Sequence, residues 1–333
     1  MTSTLKKRIE WIDIAKGVSI ILVVYLHGVL SSIPISRLWL NTCLMPFFFF
    51  ASGLLFSGAK FNTITPFLKK RVKTLYKPYF IFSAILLLGI WLLNDSRFST
   101  SKHLLQYVMT GWEGWALWFV PVLSFTEILF YYINKTSGGG KLLLFLSLAV
   151  IGRFAYLYNF PNPYNLWHVL TAVSFYGLGF ILKSKTIIFS RQSVIRIIGS
   201  SCLFFALSFI CIMSPYVPEP AVNNMGSIWI YPAALFGTLF ICTFSMILER
   251  MTNKEIKLIK SFVIYMGRNS FIVLAFHQII LKLLGKTGIF PNGVLQRLTM
   301  WIILVLLIYL IVNYCPTIIG QAKPMKSKSF KKI

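Results

Sequence analysis

Lys16 and His27 stand 11 residues apart in an otherwise apolar stretch. At about 100° per residue that separation is three turns plus roughly 20°, so both side chains project from one stripe of a helix. Asp13, 14 residues before His27, falls about 40° short of four turns and joins the same face. Along the axis, Lys16 and His27 are separated by roughly 16 Å at 1.5 Å per residue. A neutral imidazole can accept a proton from an attacking hydroxyl. An ammonium at the far end of the stripe can hold the phosphate-bearing head of a long donor whose reactive end reaches that imidazole. The same residues have plainer uses: Lys16 as a cationic anchor at a membrane surface, His27 as a hydrogen bond between packed helices.

Other chemistries lack their residues. The chain has only two Asp, Asp13 and Asp95, so it holds no acidic metal-ligand motif of the kind used in metal-dependent group transfer, and no metal site is expected. No G-x-x-x-x-G-K-[ST], H-E-x-x-H or G-x-S-x-G occurs, which removes the common nucleotide, zinc and serine-hydrolase signals. Five Cys show no C-x-x-C or paired spacing, against a redox or disulfide framework.

The elements that must carry the stripe are membrane helices. In 333 residues, 57% are hydrophobic and 12% charged, and the mean hydropathy is +0.74, values that do not describe a soluble surface. Continuous Leu, Ile and Phe runs, rather than short alternating segments, exclude a barrel. About ten runs approach the roughly 20 residues a spanning helix needs: 17–36, 38–60, 78–94, 114–134, 142–158, 166–182, 197–214, 227–248, 262–284 and 298–320. The expected fold class is therefore all-α, a polytopic membrane helix bundle forming one domain over 1–333. Loops are short apart from about 95–113 outside and 59–77 inside, no cleavable signal peptide is evident, and no internal repeat stands out.

Assigning Lys and Arg to alternate sides places 25 of the 33 on one side, which the positive-inside rule makes the cytoplasmic one, with both termini there. The net charge of +25 thus reads as topology and contact with anionic membrane lipids, and not as nucleic-acid binding.

Arg8-x4-Asp13-x2-Lys16-x10-His27, in the context RIEWIDIAKGVSIILVVYLHG, resembles the first-helix signature of acyltransferase family 3, whose usual form is Arg or Lys, ten residues, then His. Four further segments are similar to the family: PFFFFASGLLFSG (46–58), ALWFVPVLSF (116–125), FYGLGFIL (175–182) and MGRNSFIVLAFH (266–277), the last like the helix of its stand-alone sugar O-acetylase branch. Many members carry Arg where this chain has Lys16, and His where it has Ala116. A Lys offers a point charge in place of a bidentate fork. The resemblance implies transfer of an acetyl group from cytoplasmic acetyl-CoA, as co-substrate, to a hydroxyl of a surface polysaccharide or lipid-linked glycan, in a multi-pass protein of the bacterial inner membrane. No metal is implied.

On that expectation His27 is the general base, with Asp13 setting charge or helix position at the inner mouth. Lys16, Lys69, Lys70 and Arg71 meet the CoA phosphates. Arg268 and Asn269 line the donor passage; the alternative is an ion pair of Arg268 with Glu127. Toward the outer side, Arg153 meets an anionic group such as a sugar phosphate, His277 is a second imidazole near the acceptor, and Glu113 and Trp118 contact the sugar. Trp at a membrane interface is also ordinary. Three readings stay open beside this one: a transporter or flippase of a lipid-linked saccharide, O-succinyl transfer, and a structural partner of a polysaccharide synthase. Polysaccharide-assembly proteins or a second copy of the chain are open as partners.

Overall fold

Apolar runs of this length have one way to satisfy their backbone amides inside a bilayer, which is to coil. A computed structural model of the chain describes residues 8–27, 34–57, 61–93, 100–111, 115–135, 140–162, 165–213, 229–289 and 293–320. Among them there is no strand. The helices are α1 (Glu10–Leu26), α2 (Pro34–Leu54), α3 (Ile64–Arg71), α4 (Lys77–Leu93), α5 (Ser101–Thr110), α6 (Phe119–Lys135), α7 (Lys141–Leu157), α8 (Leu166–Phe189), α9 (Val194–Ile212), α10 (Ile230–Arg250), α11 (Lys254–Arg268), α12 (Ser270–Lys286) and α13 (Gly293–Tyr314).

Among the described residues each of the ten expected runs contains helix, though 17–36 takes in the end of α1 and the start of α2, and length and hydropathy qualify six helical segments of the described residues as membrane spans. The differences have local causes. α1 and α7 have 17 residues each, short of the usual span, and Arg37 and Asn41 dilute the apolar character of α2. The run 262–284 is not one helix: α11 and α12 meet at a bend of 87°, and counted together they would make a seventh span. Two loops of the sequence reading contain helix, α5 in the outer one and α3 in the inner one. A π-helical turn, Val72–Tyr76, joins α3 to α4 in a 30-residue run, Ile64–Leu93.

The chain divides into two units. In the first (Met1–Lys60 and Met109–Leu274), α1 packs on α11, α10 and α2, α2 packs on α8 and α10, α8 on α6 and α7, and α9 on α10. Without a hydrophobic drive between helices in lipid, close backbone approach supplies much of the cohesion. A Cβ on Gly17 would lie 2.0 Å from the carbonyl oxygen of Val263, and one on Gly267 would lie 1.9 Å from that of Asp13. Only Gly fits at either side of this α1–α11 crossing. Gly53 and Gly179 play the same part between α2 and α8. The Phe-rich segment fills the core beside that crossing: Phe47 and Phe50 are fully buried, and Phe56 meets Phe130 edge-on at 4.9 Å.

The second unit (Phe61–Val108 and Ala275–Ile333) holds α3, α4, α5, most of α12 and α13. Phe82 packs on Phe276 with ring centres 5.0 Å apart. Gly89 admits Ile279, since a Cβ there would lie 2.6 Å from Ile279 Cγ1.

Candidate active site

The first turn of α1 carries Glu10 and Asp13, where carboxylates favour the exposed amides of a helix start. It is tied down on several sides. The Trp11 backbone N–H donates to Glu249 Oε1 at 3.1 Å, Lys260 Nζ lies 3.5 Å from Glu10 Oε1 and donates to the Glu249 carbonyl at 2.9 Å. Asp13 itself is buried. Its Oδ2 accepts a hydrogen bond from Arg268 Nε at 3.0 Å, and Arg8 Nε stands 3.7 Å from the same oxygen. Lys16, half-buried one turn further on, feels the attraction of Asp13 and the repulsion of Arg8. Three cations therefore gather around one carboxylate, a local excess of positive charge suited to phosphate.

Arg268 is thus ion-paired with Asp13. The alternative partner, Glu127, is buried in α6, where it accepts a hydrogen bond from the Tyr176 hydroxyl at 3.4 Å. Asn269 is the residue at the break between α11 and α12. It leaves helical geometry at φ −110°, ψ 19°, and both its backbone N–H, at 3.2 Å, and its Nδ2, at 2.9 Å, donate to the Tyr265 carbonyl at the end of α11.

His27 is the C-cap residue of α1 and is exposed. Asp13, Lys16 and His27 share the expected stripe, and Ile20 and Val23 lie on it between them. Those two side chains are 1% and 4% exposed, so the stripe is packed between its polar ends in this conformation.

A second polar group of the first unit surrounds a cavity of about 300 Å³. Its walls come from the end of α7 (Arg153), Asn159, Phe160, Asn162 and Asn165 from between α7 and α8, the start of α8 (His168, Thr171), Trp118 ahead of α6, and Phe49 of α2. Asn159 and Asn165 both adopt left-handed backbone, with φ 51° and 58°, a conformation Asn tolerates better than most residues. Asn162 ties the turn to α8: its Oδ1 accepts the Trp167 backbone N–H at 3.1 Å, and its Nδ2 lies 3.2 Å from His168 Nδ1. The His168 ring is 5.8 Å from that of Trp118. Arg153 and Trp118, separately expected to meet the acceptor, thus line one space. Glu113 lies outside the described residues.

The remaining expected residues belong to the second unit. Lys69 and Lys70 are exposed and Arg71 half-buried, at the end of α3. Lys70 stands 5.7 Å from the centre of the Phe61 ring and Arg71 5.3 Å from that of Phe67, distances typical of cation–π contacts. His277 is 1% exposed within α12.

Sequence reasoning missed the cavity's amides and set His168 only at the outer face, beside the interfacial Trp residues. A signal was present: Asn159, Asn162 and Asn165 recur every third residue in NFPNPYN, where two prolines exclude helix and leave three amides on a turn between spans.

No curated protein and no solved structure matches the chain. A family model described as an acyltransferase domain matches residues 9–317. That span includes the α1 stripe, the α1–α11 crossing and the cavity, and it places the chain in acyltransferase family 3.

Proposed function

We propose that the protein transfers an acetyl group from cytoplasmic acetyl-CoA across the bacterial inner membrane to a hydroxyl of a surface polysaccharide or lipid-linked glycan. The observation that carries this reading is the cavity of the first unit, which combines aromatic faces with amide, imidazole and guanidinium donors. Pyranose rings stack on aromatic faces, and their hydroxyls pair with such donors. By the distribution of Lys and Arg, its end of α7 and α8 is the outer one.

In the proposed reaction, Lys16 and Arg268 at the inner end of α1 meet donor phosphates, and the exposed Lys69 and Lys70 with Arg71 offer cations of the same kind on their own unit. The acceptor hydroxyl attacks the thioester carbonyl, its proton passes to the His27 imidazole, the C–O bond forms, and the C–S bond breaks with CoA thiolate leaving. General-base assistance of this type contributes about 10²- to 10⁴-fold. Asp13 holds Arg268 and the helix start in place. Trp118, Arg153 and Glu113 are the proposed sugar contacts, and His277 is a second imidazole proposed for the acceptor.

Mass spectrometry of the surface glycan tests the reading. Cells with the intact gene should carry an additional acetyl group that cells with His27→Ala lack, at equal amounts of membrane-inserted protein. Retained acetylation in that variant removes His27 from the reaction. A change in polymer amount with no acetyl difference would show transport or assembly in place of transfer.

A further inference from the structure

α11 is too short and too charged to cross a bilayer on its own. Its 15 residues extend about 22 Å at 1.5 Å each, short of the roughly 30 Å of hydrocarbon, and four of the first seven are charged. One side of it is committed to α1, where Val263 and Gly267 meet Gly17 and Asp13 at the close crossing. A second side is apolar and open: Leu258, Ile259 and Phe262 are 77%, 63% and 42% exposed and, at about 100° per residue, fall within one arc of roughly 100°. Counted the same way, Val263 and Gly267 lie beyond one edge of that arc and Lys254 and Lys257 beyond the other, both Lys exposed. The remaining cations of the helix are engaged, Lys260 with Glu10 and the Glu249 carbonyl and Arg268 with Asp13. Glu255 shares the arc but stands in the first turn, where a carboxylate favours the open amides of a helix start.

A helix of modest hydropathy whose apolar arc is flanked by Lys is built to lie in a membrane surface with its apolar side chains down. We propose that α11 lies in the plane of the cytoplasmic leaflet, the side to which the distribution of Lys and Arg assigns it, and docks there on acidic phospholipid. Leu258, Ile259 and Phe262 enter the acyl region, and Lys254 and Lys257 pair with headgroup phosphates at its border. Burial of the arc removes three large apolar side chains from water, and any leaflet provides for that. The two Lys make the difference between lipids, because an acidic headgroup carries the net negative charge that a zwitterionic one lacks.

The test puts the photo-crosslinking residue p-benzoylphenylalanine in place of Leu258, in the full chain in nanodiscs of equimolar phosphatidylcholine and phosphatidylglycerol. After illumination, mass spectrometry of the peptide carrying that residue should find phospholipid attached, with phosphatidylglycerol favoured about fivefold or more, the weight of a single Lys near an anionic surface. The same probe in place of Phe262, one turn on, should give the same adducts. Added salt should lower the ratio. Lys254→Gln together with Lys257→Gln should bring it close to the bulk ratio with the total lipid adduct kept. Because the probe reports only lipid beside α11, anions held by cations elsewhere on the chain do not enter the ratio. Adducts in the bulk ratio with both Lys in place, a reading that needs no Lys variant to fold, overturn the acidic-lipid site, as does a preference that survives removal of both Lys. Adducts to polypeptide, or no phospholipid adduct at either position, overturn docking on the leaflet itself.

Discussion

Replacing Gly267 with Ala should separate α1 from α11 and break the ion pair that holds the first turn of α1. The new Cβ would sit 1.9 Å from the Asp13 carbonyl oxygen and 2.7 Å from the Gly17 nitrogen. Both are backbone atoms of a packed helix, so no side chain can rotate away. Ordinary contact begins near 3.4 Å, and the helices must part by about 1.5 Å to reach it. A shift of that size along the Arg268–Asp13 line stretches a 3.0 Å hydrogen bond past hydrogen-bonding range. Overpacking of this kind costs about 1–3 kcal/mol. The lost pair adds about 1 kcal/mol, because Arg268 keeps 45% of its side chain exposed and solvent screens it. Thermal unfolding of the detergent-solubilised protein, followed by tryptophan fluorescence, should therefore begin several degrees lower for Gly267→Ala. The double variant Gly267→Ala, Arg268→Gln should lose little more than Gly267→Ala alone, since the first change has already broken the bond the second removes. An unchanged melt for Gly267→Ala would refute the close crossing; full additivity would show that Arg268 acts independently of it.

The left-handed turn beside the cavity makes its own forecast: Asn159→Gly should leave the melting temperature nearly unchanged, whereas Asn159→Val should lower stability by about 1–2 kcal/mol because a β-branched residue resists φ near 51°. Equal melts for the two variants would refute the turn. Asn162→Leu removes the acceptor of the Trp167 N–H and the donor to His168, at a cost of about 0.5–1.5 kcal/mol. It should also raise the acceptor KM with the donor KM unchanged; an unaltered acceptor KM would show that the Asn162 amide does not matter to acceptor binding.

The stripe on α1 was legible because helical geometry is fixed: Asp13 and Lys16 lie on a helix running from Glu10 to Leu26, and His27 caps its end. The family resemblance was legible for the same reason, as motifs of short spacing on single helices. The partner of Arg268 was not. Glu127 is much the nearer of the two in sequence, and only the Gly17–Gly267 crossing, set by backbone approach between segments some 250 residues apart, selects Asp13. The break at Asn269 was hidden because Phe262 and the residues after Ser270 are apolar on both sides of it, and mean hydropathy is blind to direction. The cavity escaped because its polar groups come from α7, α8 and the turn between them, joined to Trp118 and α2 by tertiary packing.

The packed stretch of α1 sets a condition on the proposed chemistry. Roughly 16 Å of helix separate Lys16 from His27, and Ile20 and Val23 close the stripe between them. A donor arm lying on this face must displace both side chains, so the conformer that transfers an acyl group along it differs from the one described by at least that local rearrangement. Openings of this extent cost a few kcal/mol and are populated at the per cent level or below. A donor that binds only the open form pays that fraction in apparent affinity. In the proposed reaction the cations at the start of α1 would offset this cost without helping the chemical step, because phosphates held equally before and during transfer amount to uniform binding. His27, at the other end of the stripe, is the group that the proposed reaction brings to the reacting atoms. The two ends of α1 therefore answer to different kinetic constants: changes at Lys16 fall on donor binding, and changes at His27 fall on turnover.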